Sequence, residues 1–170
     1  MENKTHYIVA LVEDKPGVMQ RVSGLLSRRN FNIKSISVGA TEKLGISRIT
    51  MTLKGQEEVL EQVIKQLNKL IEVVKVLGIE KDESVIRELV LIKVNTATVS
   101  ARAEVVQYAN IFRGRVVDVA KDSMVIEITG DESKINAFIE LMRSYGVKEV
   151  ARTGKTIMTR GKKIVSIKGK

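Results

Sequence analysis

The stretch YIVALVEDKPGVMQRVSGLLSRRNFNIKSISVGATEKLGISRITMTL, residues 7–53, decides the fold. Tyr7 to Val12 is a continuous apolar run, the pattern of a strand covered on at least one face. Pro16 then stands at or near a first helical position, where its missing N–H costs nothing. Val18, Val22, Leu25 and Leu26 mark the buried stripe of the helix that follows. Ile36, Val38 and Ala40 alternate with Ser37, Gly39 and Thr41. Beyond the tip EKLG, Ile49, Met51 and Leu53 alternate with Arg48, Thr50 and Thr52, which predicts a β-hairpin. Gly55 breaks the strand. Val59, Val63, Leu67 and Leu70, flanked by Leu60, Ile64 and Ile71, predict a second helix running into a strand from Val73 to Leu77. The order is βαββαβ.

The second half repeats that order. It has a strand from Leu89 to Val94, a helix from about Ser100 with Val105, Ala109 and Phe112 on its apolar face, and Val117 and Val119 pairing with Met124, Ile126 and Ile128. Gly130 and Asp131 open a last helix carrying Ile135, Phe138, Ile139 and Met142, and Val147 to Ala151 closes the unit. Gly55, Leu60, Val63, Ile64 and Leu67 recur at equal spacing as Gly130, Ile135, Phe138, Ile139 and Met142. The reading is an α+β protein of two tandem ferredoxin-like βαββαβ domains. The first is expected over 1–79, with a charged linker (EKDESVIR) at 80–87 and the second domain with a basic tail over 88–170. Each sheet carries helices on one face only. Its other face and its edges are expected to be thinly covered, which favours edge-to-edge pairing into a homodimer.

Composition removes much chemistry. The chain of 170 residues contains no Cys and one His, His6, which excludes thiolate zinc sites, a Cys nucleophile and a His–His metal pair. No catalytic or metal-binding residues are expected. His6, at the start of a strand, is expected at the surface or a sheet edge. The formal charge of +9 is concentrated in Arg152, Lys155, Arg160, Lys162, Lys163, Lys168 and Lys170, and residues 152–170 hold no acid. The rest of the chain is close to neutral, so the excess reads as a solvated terminal segment or a docking segment for an acidic partner rather than a nucleic-acid face. The central strands of the second unit also lack the stacking aromatics of RNA-binding sheets. No apolar run is long enough to span a bilayer, and the N-terminus lacks a signal-peptide core, so no membrane partner and a cytoplasmic location are expected.

One turn carries ligand-binding potential: Glu13-Asp14-Lys15-Pro16-Gly17-Val18. A helix N-terminus offers unpaired N–H groups and a partial positive charge to a carboxylate or phosphate. Gly17 lets a ligand approach the backbone. Asp14 can take an ammonium group, and Asn32 offers a second oxygen. A free amino acid has both charges on one carbon, and Val18, Ile33 and Val38 would favour an aliphatic side chain. The same residues also admit a plainer reading in which Asp14 caps the helix, Pro16 and Gly17 form a turn, and Asn32 closes another. Glycine loops for nucleotides are absent, and Glu13 and Asp14 are too close in sequence to form an acid/base pair.

The run EDKPGVMQRVSGLLSRRNFNIKSISVGATE, followed by SRITM and LEQVIKQLNKLIEVVKV, resembles the regulatory (small) subunit of acetolactate synthase, whose N-terminal half is an ACT domain. RELVLIKV, IFRGRVVDV, IEITG, KINAF and EVARTGKTIMTRG extend the resemblance through the second half. It implies a non-catalytic chain without a cofactor. The partner would be a catalytic large subunit that carries thiamine diphosphate, Mg²⁺ and FAD and joins two 2-oxoacids in branched-chain amino-acid synthesis. The chain would activate that partner and confer feedback inhibition, by valine first and by isoleucine or leucine otherwise. The effector would sit between two ACT domains, held by Asp14, Lys15, Pro16, Gly17 and Val18 on one wall and by Asn32 and Ile33 on the other. The family more often has Asn where this chain has Asp14, and Gly where it has Asn30, which is expected to take the left-handed conformation of a helix-ending Gly. A free-standing ACT-type sensor for another enzyme would share the first half but leave the motifs of the second unaccounted for.

Overall fold

The structure, a computed structural model, describes residues 4–165. The chain divides into two compact units. One holds the residues up to Ile86 together with those from Gly154 onward, and the other is Arg87–Thr153.

In the first unit β1 (Lys4–Glu13), α1 (Val18–Arg28), β2 (Ile33–Ala40), β3 (Ile46–Gly55), α2 (Glu57–Leu67) and β4 (Val73–Ile79) follow the expected order. The strands form an antiparallel sheet in the order β2-β3-β1-β4. Ile8 pairs with Met51 and Ala10 with Ile49, which puts these four on one face. There Val22, Leu26, Val63 and Leu67 seal them completely. Each such side chain contributes about 1.5–3 kcal/mol through removal from water. The second helix ends at Leu67, short of the expected Leu70 and Ile71. Leu70 still packs on the core, but Ile71 stands in solvent. Asn30 has φ 54, the left-handed geometry expected of it.

The second unit repeats the plan with β5 (Ser84–Asn95), α3 (Val99–Ile111), β6 (Arg115–Val119), β7 (Ser123–Gly130), α4 (Glu132–Arg143) and β8 (Val147–Arg152), in the sheet order β6-β7-β5-β8. Val90, Ile92, Ile126, Ile128, Ile135, Phe138 and Met142 form its core, with Phe112 and Phe138 in tilted contact at 5.2 Å between ring centres. Val119 pairs with Met124 as expected. A bulge between Val116 and Asp118 puts Val116, not Val117, opposite Ile126 and turns Val117 outward.

Three expectations are corrected. Residues 80–87 are not wholly a linker: β5 begins at Ser84, and Ser84, Ile86 and Glu88 alternate inward while Arg87 faces out. His6 is buried, because β1 reaches back to Lys4 and pairs with β3 as far as Gly55, whose carbonyl lies 3.0 Å from His6 Nε2. The basic tail is built into the fold. Arg152 makes a two-pronged ion pair with the buried Glu88. Lys155 is 5% exposed, with Nζ 5.7 Å from the centre of the Tyr7 ring. The Arg160 N–H donates to Glu83 O at 2.8 Å, and Lys163 pairs with the Glu83 carboxylate. Lys168 and Lys170 lie outside the described residues.

This tail also alters the expected bare face. β9 (Thr156–Thr159) pairs with β5, and Ile157, 1% exposed, packs with Tyr7, Val9, Ile79 and Ile86 on the side of the first sheet opposite the helices. Residues from 154 onward, expected within a domain over 88–170, thus complete the first unit's second layer. The apolar side chains of β1 point to both faces of its sheet, and both are covered.

Candidate functional site

At the end of β1 the chain turns through Asp14, Lys15, Pro16 and Gly17 before α1 begins at Val18, two residues beyond Pro16. Asp14 N–H donates to Gly45 O at 2.8 Å, which ties this turn to the tip of the β2–β3 hairpin. Gly17 is the N-cap with φ 85, a left-handed conformation that costs a residue with a Cβ but not glycine. No side chain caps α1 and its first turn contains no acid, so the plainer reading in which Asp14 caps the helix is excluded. The Arg21 N–H is taken by Gly17 O, and Val18 N–H reaches Lys15 O only at 3.4 Å. What remains is an exposed helix start with unneutralised partial positive charge. Val18, beneath it, is buried in the core. Lys15 pairs with Glu13 at 2.8 Å on the open surface, an interaction that contributes little.

Asn32 and Ile33 lie elsewhere. Ile33 pairs with Leu53, which pairs with His6, at the end of the sheet where β1 begins. Glu13 and Ala40, paired with Ile46 and Ser47, mark the opposite end, next to Asp14. β2 runs seven steps from Ile33 to Ala40, about 23 Å at roughly 3.3 Å per residue. Within one chain the two expected walls are therefore separated by the length of the sheet and form no single pocket. The strand between them is an edge strand, and Ile36 and Val38, on its helix side, are 37% and 46% exposed. Such an edge offers main-chain groups and apolar surface to another strand.

Sequence reasoning missed Arg48 and Gly154. Arg48, on the opposite face near the Asp14 end of β3, donates from Nη2 to Ile157 O at 2.6 Å. Burial lowers the pKa of its guanidinium and Glu42 opposes the shift. The TGKTI sequence carries the one signal, a glycine followed by an isolated isoleucine in a basic run. Among the described residues no three His, Asp or Glu side chains cluster as metal ligands, and no helix is long and apolar enough to cross a membrane.

Comparison with known proteins agrees with this architecture at both units. Residues 8–75 match the family model described as the AHAS small subunit-like ACT domain, and residues 87–161 match that of the small subunit of acetolactate synthase. A protein of Methanothermobacter thermautotrophicus named as a probable acetolactate synthase small subunit is 56% identical over 95% of this chain and 96% of its own length. The acetolactate synthase small subunit of Mycolicibacterium smegmatis is 48% identical over 92% of each chain. The crystal structure of the acetolactate synthase small subunit from Thermotoga maritima superposes with a TM-score of 0.87 at 44% identity, covering 93% of this chain and 98% of that one. With an ACT unit followed by the family's second unit, matched over nearly its full length, this chain belongs to the acetolactate synthase small-subunit family.

Proposed function

We propose that the chain activates an acetolactate synthase catalytic subunit in the cytoplasm and makes it sensitive to a branched-chain amino acid, valine first, bound between two copies of its ACT unit. The catalytic partner would hold thiamine diphosphate, Mg²⁺ and FAD. One observation carries the reading: the uncapped start of α1 and the start of β2 lie at opposite ends of one sheet, with an exposed edge strand between them. Two chains pairing β2 with β2 in antiparallel fashion would bring the start of one β2 beside the end of the other, the end at which Asp14 to Val18 lie. The α1 N–H groups and Gly17 would hold the effector carboxylate, Asp14 its ammonium, and Asn32 and Ile33 of the second copy would close the pocket. The side chain would lie against Val18 and Ile33, a fit for a short aliphatic group. Binding can shift the partner's activity only by the effector's preference between two arrangements of that interface, typically about 1–3 kcal/mol.

The test is an activity titration of the catalytic subunit with this chain, alone and with valine, leucine or isoleucine. Stimulation that saturates with the chain, reversed by valine at the lowest concentration of the three, is expected. No stimulation at any ratio overturns the regulatory reading, and stimulation insensitive to all three amino acids overturns the effector assignment.

A further inference from the structure

In the second unit α3 runs out into a strained arginine that the fold itself does not use. After Ile111 the chain leaves the helix through Phe112 and Arg113, and Arg113 has φ 53. Glycine and asparagine accept that left-handed geometry readily, whereas an arginine bears the cost of its Cβ. The corresponding place after α1 holds Asn30. Capping does not explain the arginine. The last carbonyls of α3 are taken by main-chain groups: Tyr108 O accepts the Phe112 N–H at 3.0 Å, Asn110 O the Arg113 N–H at 3.0 Å, and Ala109 O the Gly114 N–H at 2.7 Å. Arg113 is exposed, and its guanidinium has no hydrogen bond or ion pair among the described residues. It lines an open depression of about 380 Å³ with Ile111, Phe112 and Lys134. Ile111 is 64% exposed, while Phe112 is held by its contact with the buried Phe138. The Lys134 stem lies against Gly130 and its Nζ donates to Thr129 O at 2.8 Å, which leaves further ammonium protons for an acceptor from outside. The lining thus holds two cations, two apolar side chains and no acid.

We propose that this depression is a docking site for an acidic segment of the catalytic large subunit, one that presents a carboxylate beside an apolar side chain. The inference rests on the reading that the chain activates such a subunit, and it adds which surface of the second unit grips it. Charge complementarity selects the occupant. A second copy docking through the same patch would set cations against cations. Arg113 supplies a planar fork that can take both oxygens of a carboxylate, and Lys134 a point charge beside it. Ile111 and Phe112 supply the apolar floor, and an arginine beside an aromatic ring is the composition on which interface energy concentrates. The cost of the left-handed backbone is already borne in the free chain, so binding does not have to impose it.

The test follows binding of the full chain to its catalytic subunit, and the stimulation that results, in Arg113→Gly. Glycine relieves the backbone and removes the guanidinium. Thermal stability is therefore expected to stay the same or rise, while the chain concentration for half-maximal stimulation rises roughly tenfold or more, the ordinary loss for an anchoring arginine. Stability and binding moving in opposite directions is a result that a merely structural Arg113 would not give. Ile111→Ser is expected to raise the half-saturating concentration by less. Added salt is expected to weaken binding of the unsubstituted chain more than that of Arg113→Gly. An unchanged half-saturating concentration in Arg113→Gly overturns the proposal. If that variant does not fold, the same result in Ile111→Ser overturns it. Weaker self-association of Arg113→Gly by sedimentation, with the catalytic subunit bound as before, identifies a second copy as the occupant and also overturns it. An unsubstituted chain that neither binds nor stimulates the catalytic subunit overturns the regulatory reading itself, a result distinguishable from all of these.

Discussion

The two units share one topology and differ in how completely each satisfies itself. In the second unit both helices begin with a side-chain cap: Thr98 Oγ1 accepts the Ala101 N–H at 3.2 Å and Asp131 Oδ1 accepts the Lys134 N–H at 2.9 Å. In the first, Gly17 and Gln56 stand at the corresponding places and neither makes a side-chain cap. The sheet faces differ in the opposite sense. The first sheet has Tyr7 and Val9 covered by the segment around Ile157, whereas the second presents Leu91, Lys93, Val125 and Glu149 in an open depression of about 140 Å³. Repetition of apolar period builds the same scaffold twice, but availability for a ligand is decided at helix starts and sheet faces. A helix start left without a cap is open to a carboxylate from outside; one filled by its own Thr or Asp is not.

The sharpest way to break this contrast is Ile157→Ala, expected to destabilise the first unit by about 2–4 kcal/mol through loss of a sealed side chain. Native-state hydrogen exchange at the Val9 and Ile79 amides should accelerate while Val125 is unaffected. Leu91→Ala, on the uncovered face of the second unit, should cost about 0.5 kcal/mol or less. Next, Gly17→Asp gives α1 the carboxylate that α4 already has. It should raise the half-inhibitory valine concentration roughly tenfold or more, within ordinary allosteric coupling, while activation of the catalytic subunit persists. Persistent full inhibition would remove the turn from the effector site. Thr98→Ala should cost about 1 kcal/mol by thermal unfolding, the usual worth of a cap, whereas Gln56→Ala should cost far less.

The smallest effect is one of pH. Hydrogen bonds from the Lys134 N–H and from Ser133 hold the Asp131 carboxyl below its ordinary range. The unfolded chain then takes up a proton before the folded one on acidification. The contribution of the cap is complete above the ordinary Asp value of about 4 and is lost as pH falls through the lower folded value. Asp131→Asn retains the acceptor and should flatten that part of the stability profile.

Element order, both cores and the turn at Gly17 were legible in the sequence because each depends on local periodicity or on a residue with restricted backbone geometry. The segment over the first sheet was not. Ile157 is the single buried side chain in a four-residue strand, and no period can be read from one residue among lysines and threonines. The start of β5 was obscured for a related reason: Glu88 is buried and paired with Arg152, so charge there marks a satisfied ion pair rather than solvent. The distance between the two walls of the candidate site needed strand order, which pairs Ile33 with Leu53, and Leu53 in turn with His6, and so sets Asn32 at the far end from Asp14.

The placement of Ile157 against Tyr7 has a consequence for synthesis. The first unit is discontinuous in sequence, with the second inserted between Ile86 and Gly154. A chain made from its N-terminus has β1 to β4 available early, but it must keep Tyr7, Val9 and Ile79 uncovered until the whole second unit and then Ile157 have been made. The equilibrium cost of that long closure is modest, since it grows only with the logarithm of the loop, but contacts between distant parts of a chain form late. The ACT sheet is thus expected to be the last layer to close and the most adhesive surface on the ribosome, and premature termination after Thr153 would leave that surface permanently open.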